Sequence, residues 1–567
     1  MKIKFILCFI LLASFLLNVY GINWGLPYKW NVDEQVGVTL RMFSSKTLLS
    51  TQDEFGHPTL YFYCLGIFLA PYLLLLKMLH YPFNLLQSAA SVSWFKVAIE
   101  FPSFATNIYL FSRLLSGIFG AICVYFVYLT GKSVFNQKVG LFSAAVLALT
   151  KGFVGVNHFA NSTGLVNLLG IVTIYLCVKY LDEEGMEKHI LLAGYFGGLS
   201  LAAKYNGFIL LIPICMSIFL KYYSNLKAEV SIIHLKFFNA LKNCIIKKIS
   251  YKTLIIYIAG ILTGWPVVIG YFFKYKENFF IKYQEYISPD VGWAHLKGFS
   301  NYLYRLLDIF GIPLAIFVFI GLLYYLINIK KNTSKTIILA LTVVIYLTII
   351  SSWQRPALVK YIVFIIPILS IFAGKMLYEF SQKKMIPLYI RFTILTFVFV
   401  FSIAYAFSFD LIFAKNDTRY IAGRWAKNNI NTEKTIEIFT QPAWVLSPDL
   451  FLRHNIVFLG KSSCQTGGKN IYSAFKDRNK EHVELEEYFK QLNLAGSSSD
   501  YIIIPYFNDK DNYILTGPEG DKFIYNLITK RLNYQLVKEI SLHKHWFWDL
   551  RMDYLSPTLL IFKRIKT

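Results

Sequence analysis

Eleven apolar runs, joined by mostly short connections, constrain this chain more than any other feature of its sequence. They lie at 5–20, 109–130, 139–156, 163–180, 189–203, 207–221, 252–273, 303–329, 336–352, 359–379 and 391–411. A helix needs about 20 apolar residues to cross the hydrocarbon core of a bilayer, and several of these runs approach that length, 189–203 and 207–221 being short. The 567 residues are 56% hydrophobic and 16% charged, with a mean hydropathy of +0.48. A water-soluble fold this apolar could not cover its own core, so a bilayer must solvate much of the chain. The reading is an α-helical polytopic membrane protein with about 11 spans. The first run follows Met1-Lys2-Ile3-Lys4, and no convincing cleavage site comes after it. It is therefore read as a retained span with its N-terminus inside.

The net charge of +24 invites a nucleic-acid reading, but its placement argues otherwise. Lysines collect in alternate connections: Lys132 and Lys138, then Lys188, then Lys227, Lys236, Lys242, Lys247 and Lys248, then Lys330, Lys331 and Lys335, then Lys383 and Lys384. The opposite connections near 157–162 and 204–206 hold only Lys204. This is the positive-inside bias of a membrane protein, so no nucleic-acid partner is expected. The same bias bears on a further apolar run at 58–79. If that run crossed, every later connection would change sides, so it is expected to lie in or near the outer leaflet. Residues 1–411 then form the membrane domain, with long external loops at 22–108 and 274–302. Residues 412–567 form an extracytoplasmic domain, whose short apolar runs at 435–439, 501–505 and 558–562 between helix-like stretches read as α/β or α+β. The seven cysteines lie mostly in or beside apolar runs, with no Cys-x-x-Cys pair, and suggest neither a disulfide framework nor a zinc site.

The residues able to carry chemistry fall on one side of this topology. Asp33 and Glu34 follow the first span by about a dozen residues. Carboxylates beside a membrane surface must be solvated, paired or functional. His57 precedes Pro58, which suits the first turn of a helix. Arg113 stands at the mouth of the 109–130 run. His158-Phe159-Ala160-Asn161-Ser162-Thr163 forms an external turn. Lys204 sits between two short apolar runs, where an amine at the interface suits a phosphate, or merely snorkels. The second loop carries the polar and aromatic stretch Ser288 to Gly298, with His295 inside it, and Arg355, Lys360 and Tyr361 precede the 359–379 run. An acidic pair with several cations on one face suits a general base acting beside an anionic, phosphate-bearing lipid.

These residues resemble those of the GT-C membrane glycosyltransferases, in particular the protein O-mannosyltransferases and aminoarabinose lipid A transferases of glycosyltransferase family 39 and its relatives. The marks are Asp33-Glu34, His57-Pro58-Thr59-Leu60, Arg113-Leu114-Leu115-Ser116, Leu201-Ala202-Ala203-Lys204-Tyr205-Asn206, and Lys360-Tyr361 with Pro367 and Gly374. They cover roughly residues 1 to 380. The chain departs from the family where Thr59 replaces the second proline of a Pro-Pro pair. It departs again where Asn161-Ser162-Thr163 stands in a turn that often carries an aspartate. The resemblance implies a GT-C bundle with its active site at the outer leaflet, in a bacterial cytoplasmic membrane. The donor would be a polyprenyl-phosphate sugar and the acceptor a lipid, a glycan or a protein. Asp33 would be the general base, with Glu34 beside it. Lys204, His57, Arg113 and Lys360 would hold the donor phosphate, and Tyr205, His295 and Tyr361 would line the substrate. A divalent metal fits this reading without being required by it, with Glu34, His57 and His295 as candidate ligands. The competing class is a lipid or solute transporter or flippase. Such a protein should show inverted repeats or charges within its spans. No repeat is visible, and the polar residues concentrate on one face.

Overall fold

The structure is a computed structural model. It describes residues 2–28, 33–44, 58–78, 97, 101–182, 185–225, 248–266, 268, 298–328, 333–352, 358–438, 455–458, 461–462, 487–493, 497–506, 517–542, 544–545, 548–549 and 558–565.

The apolar runs form helices where expected. They are α1 (Lys2–Val19), α2 (Val36–Ser44), α3 (Leu60–Met78), α4 (Pro102–Val134), α5 (Gln137–Ala148), α6 (Lys151–Asn157), α7 (Thr163–Tyr180) and α8 (Glu187–Ala203). A 3₁₀ turn at Tyr205–Leu210 leads into α9 (Leu211–Asn225). Then come α10 (Lys248–Gly264), α11 (Phe299–Phe310), α12 (Ile312–Ile327), α13 (Ser334–Ser351), α14 (Val359–Ile362), α15 (Ile366–Gln382) and α16 (Leu388–Phe413). Among the described residues, eight helical stretches are long and apolar enough to cross a membrane, or nine if the bent pair α5 and α6 counts as one span. The chain is an integral, multi-pass membrane protein.

Two expected spans are broken. The 139–156 run bends by 63° between α5 and α6. The 303–329 run breaks between α11 and α12 at Gly311, which sits at φ 73°, a conformation open to glycine and strained for residues with a Cβ. Helix α3, on the run expected to lie along the outer leaflet, meets the length and composition of a span.

Burial sorts the helices. Nearly all of α7 is buried, as is α15 up to Leu377, whereas α1 and α16 present Phe5, Phe9, Leu12, Phe392, Phe397 and Val400 outward, as lipid-facing helices do. The contact between α8 and α10 depends on small residues. A Cβ on Gly198 would lie 2.0 Å from the Tyr257 carbonyl oxygen, and one on Gly260 would lie 2.2 Å from that of Tyr195. Lipid tails are as apolar as leucine, so helices associate in a bilayer through such close backbone approach.

One end of the bundle is basic. Lys335 bonds Asp182 and the Ser133 carbonyl, Lys179 lies 2.9 Å from Asp182, and Lys221 donates to the Asp182 carbonyl. The other end carries Asp33, Thr163, Lys204 and Lys360.

After α16, Asp417 caps α17 (Thr418–Asn429), and a sheet domain follows. Its strands are β1 (Thr435–Ile438), β2 (Asn455–Phe458), β3 (Lys461–Ser462), β4 (Tyr501–Tyr506), β5 (Tyr534–Ile540), β6 (Lys544–His545), β7 (Trp548–Asp549) and β8 (Thr558–Arg564), with α18 (Gly517–Ile528) between β4 and β5. Six of them form one sheet in the order β3-β2-β1-β4-β8-β5. Strands β2, β1 and β4 run parallel, and β3, β8 and β5 join antiparallel to their neighbours. The apolar runs at 435–439, 501–505 and 558–562 become β1, β4 and β8, which pack around Ile436, Ile438, Ile503 and Ile561. The C-terminal part is a mixed sheet with helices, within the α/β or α+β reading of its alternation.

Candidate active site

The site starts from a buried clamp. Beyond α1 the chain turns through Gly21 and Gly25, both at positive φ, and brings the Ile22 and Trp24 carbonyls against Arg113 of α4. Arg113 Nη1 donates to those two oxygens at 2.7 and 2.8 Å. Its Nε and Nη2 donate to Glu34 Oε1 and Oε2 at 2.7 and 3.0 Å. The Ala160 amide donates to Glu34 Oε1 at 3.1 Å, and the Ser162 amide donates to Gln35 Oε1 at 3.2 Å. The Gln35 amide returns a bond to the Ala160 carbonyl at 2.8 Å. Arg113 and Glu34 are 1% and 2% exposed. This bidentate pair therefore ties the first loop, the mouth of α4 and the 158–163 turn into one unit. Arg113, expected to hold donor phosphate, and Glu34, expected beside the base or on a metal, are both taken up by this clamp.

The clamp fixes where Asp33 points. Next to buried Glu34, Asp33 faces the open side and meets Lys360 of α14, Nζ to Oδ2, at 2.8 Å. Lys204 ends α8, its own amide donating to the Ser200 carbonyl, and its extended backbone carries the chain into the next turn. Its ammonium donates to Thr163 Oγ1 at 3.1 Å. Thr163 is the residue nearest the place where the family often has aspartate, so Lys204 there meets a neutral partner. Burial pushes the Lys204 pKa down to about 8, the Lys360 charge pushes it the same way, and Asp33 pulls it back up. One carboxylate and two lysines thus act on one another at this end of the bundle, with a net positive charge that suits an anion.

The two lysines are also tied through their neighbours in sequence. Asn206 Nδ2 donates to the Tyr346 hydroxyl at 3.1 Å, and that hydroxyl donates to the Tyr361 carbonyl at 2.6 Å. Nothing in the sequence singles out Tyr346 or Gln35. The available signal is that a tyrosine buried within a span usually places its hydroxyl on a partner.

Of the remaining candidates, Tyr205 packs edge-on against Trp265 at 5.8 Å. The Tyr361 ring lies 5.8 Å from the Lys360 ammonium. His57, His295 and Arg355 lie outside the described residues. Among the described residues no group of three or more His, Cys, Asp or Glu comes together. Behind the clamp, His158 stacks on Phe413 of α16 at 4.2 Å, its ring nitrogens 2.9 Å from the Val154 and Tyr20 carbonyls. Burial pushes its pKa down to about 4, which keeps the ring neutral as a packing element.

Residues 106–245 match the model of the dolichyl-phosphate-mannose-protein mannosyltransferase family. No curated protein matches the sequence. Among solved structures, the chain is similar to ArnT from Cupriavidus metallidurans bound to undecaprenyl phosphate, at 11% identity and a TM-score of 0.44, covering 98% of this chain and 97% of that one. It is also similar to the archaeal oligosaccharyltransferase AglB from Archaeoglobus fulgidus in complex with an inhibitory peptide and a dolichol-phosphate, at 11% identity and a TM-score of 0.46, covering 88% and 69%. The family match spans Arg113, Thr163 and Lys204, so the stretch holding those three residues is similar to the dolichyl-phosphate-mannose-protein mannosyltransferases, as the sequence reading had it.

Proposed function

We propose that the chain is an inverting glycosyltransferase of GT-C type. It moves a sugar from a polyprenyl-phosphate donor to a hydroxyl on a lipid, glycan or protein acceptor. Its site lies on the extracytoplasmic face, opposite the basic end of the bundle formed by Lys179, Lys221 and Lys335. The observation that carries this reading is the grouping of Asp33 with Lys204 and Lys360 at one end of a helical bundle. The family match over residues 106–245 supports it.

In this reaction Asp33 removes the acceptor's proton. The acceptor oxygen attacks the anomeric carbon from the face opposite the phosphate. Polyprenyl phosphate leaves with its charge held by Lys204 and Lys360. Glu34 and Arg113, bound to each other, position Asp33.

Asp33→Asn tests the proposal. Asparagine is nearly isosteric, so the protein should fold and insert. It cannot accept the proton, and general-base catalysis is worth about 10²–10⁴-fold. Turnover with a polyprenyl-phosphate sugar should fall by about that factor. The loss of one glycoconjugate from a deletion strain, read by mass spectrometry of its glycolipids and glycoproteins, would identify sugar and acceptor. Equal turnover in wild type and Asp33→Asn, at matched membrane expression, removes the base and with it the mechanism.

A further inference from the structure

We propose that Lys360 is a charge carrier shared between Asp33 and the donor phosphate. Its ammonium holds Asp33 before reaction and passes to the leaving phosphate as Asp33 takes the proton. This rests on the donor and base assigned above and adds a coupling between them.

Three observations point to it. Lys360 places an ammonium on Asp33, at 2.8 Å, in a pair whose side chains are 26% and 43% exposed. A pair this open can separate without stranding either charge in an apolar interior. Lys204, the other cation, is fixed differently, on the neutral Thr163 hydroxyl at 3.1 Å. It can therefore serve a phosphate at all stages of the reaction without releasing a carboxylate. Finally, the Lys360 main chain is held in place, because the next residue's carbonyl accepts from Tyr346 at 2.6 Å. Only the flexible side chain need move.

Charge balance supplies the reason for a transfer. A polyprenyl-phosphate sugar is a phosphodiester with one negative charge. With it bound, Lys204, Lys360, Asp33 and the phosphate sum to zero. In the reaction the acceptor O–H bond breaks and its proton goes to Asp33. The acceptor oxygen bonds the anomeric carbon, and the bond from that carbon to the phosphate oxygen breaks, with its electron pair going to the phosphate. The product is a phosphate monoester carrying close to two negative charges at neutral pH. The four groups still sum to zero, but Asp33 is now neutral and the phosphate has gained a charge. The ammonium that Asp33 no longer needs is the one the leaving phosphate requires, so deprotonation of the acceptor and departure of the phosphate favour each other.

Binding of the product tests this without any turnover. Undecaprenyl phosphate is titrated at pH 7 into nanodiscs of the full-length protein, with phosphatidic acid as a control for any phosphate-bearing lipid. In wild type, ionised Asp33 competes for Lys360. Asp33→Asn should release the lysine and tighten undecaprenyl phosphate binding by about three- to tenfold, the scale of a partly exposed ion pair. In a Lys360→Met background the same Asp33→Asn change should bring little or no tightening. Two results overturn the proposal: no tightening in Asp33→Asn, or equal tightening with and without Lys360, which would mean that Asp33 only repels the phosphate. If undecaprenyl phosphate binds wild type no better than phosphatidic acid does, the polyprenyl-phosphate donor reading falls first, and the charge carrier with it.

Discussion

Replacing Glu34 by glutamine should damage the fold rather than the chemistry. The carboxylate receives the Arg113 fork at 2.7 and 3.0 Å and the Ala160 amide at 3.1 Å, with both partners buried. Glutamine keeps the shape but removes the charge and turns an NH₂ group toward a donor. Arg113 is then left buried, its Nη1 still on the Ile22 and Trp24 carbonyls but with no carboxylate to answer its charge. Breaking a buried pair by removing one member typically costs about 3–5 kcal/mol, because the other charge stays uncompensated. The assay is the thermal midpoint in detergent, followed by fluorescence-detected gel filtration, for Glu34→Gln, Arg113→Met and the double variant Glu34→Leu/Arg113→Met. Each single variant should lose several degrees. The double variant should lose less than the two singles summed, since it leaves no orphaned charge. Arg113→Lys should behave like a loss, because an ammonium cannot reproduce the fork. A midpoint unchanged in Glu34→Gln, or a double variant with strictly additive losses, would refute the clamp.

Three further outcomes are expected. Donor binding should weaken as pH rises through about 8, because Lys204 in the free enzyme loses its proton there; a bound phosphate favours the charged form, so the effect is present below that pH and fades above it. Direct titration of donor affinity between pH 6.5 and 9.5 checks this, and Lys204→Ala should both weaken binding by about 2 kcal/mol or more and flatten the profile. Tyr346→Phe removes the hydroxyl shared by Asn206 and Tyr361, and should lower turnover with a stability loss of about 1 kcal/mol, measured by kinetics and melting on the same sample. Reporters fused after Lys248 and after Asp417 should read cytoplasmic and external; both on one side would contradict the lysine-based topology.

Much of the helical fold is legible because a bilayer enforces long apolar runs. The breaks within runs are harder to see. Gly311 lies in an apolar stretch where Pro313, at the first turn of α12, is the quiet mark of a helix start, and its positive φ shows that it ends one helix and opens another. The site is legible as a set of residue types but not as roles. Asp33 and Glu34 are adjacent carboxylates that only the family resemblance tells apart in sequence. They differ only because consecutive side chains leave the backbone in different directions, one into the Arg113 clamp and one toward Lys360. Arg113 looks like a phosphate ligand for the same reason it makes a good clamp, its planar fork. Its partner is 79 residues away, and sequence proximity says nothing of that pairing. Tyr346 reads as one more aromatic in a span until its hydroxyl is placed.

The separation of the paired residues along the chain also sets an order of assembly. The hydrogen-bonding partners of the Glu34–Arg113 clamp, Ala160 included, all lie at or before residue 162, whereas the packing behind it, Trp24, His158 and Phe159 on Phe413, waits for α16. Lys204 reaches Thr163 only 41 residues later in the chain, whereas Lys360 comes 327 residues after Asp33. At synthesis rates of about 5–20 residues per second, Asp33 waits roughly 15–65 s for its ammonium. The nascent protein therefore holds Asp33 and Lys204 long before it holds Lys360. A chain stopped before α14 would carry Asp33, Thr163 and Lys204 without Lys360, and the last lysine to be inserted is the one that joins the site across the whole length of the membrane domain.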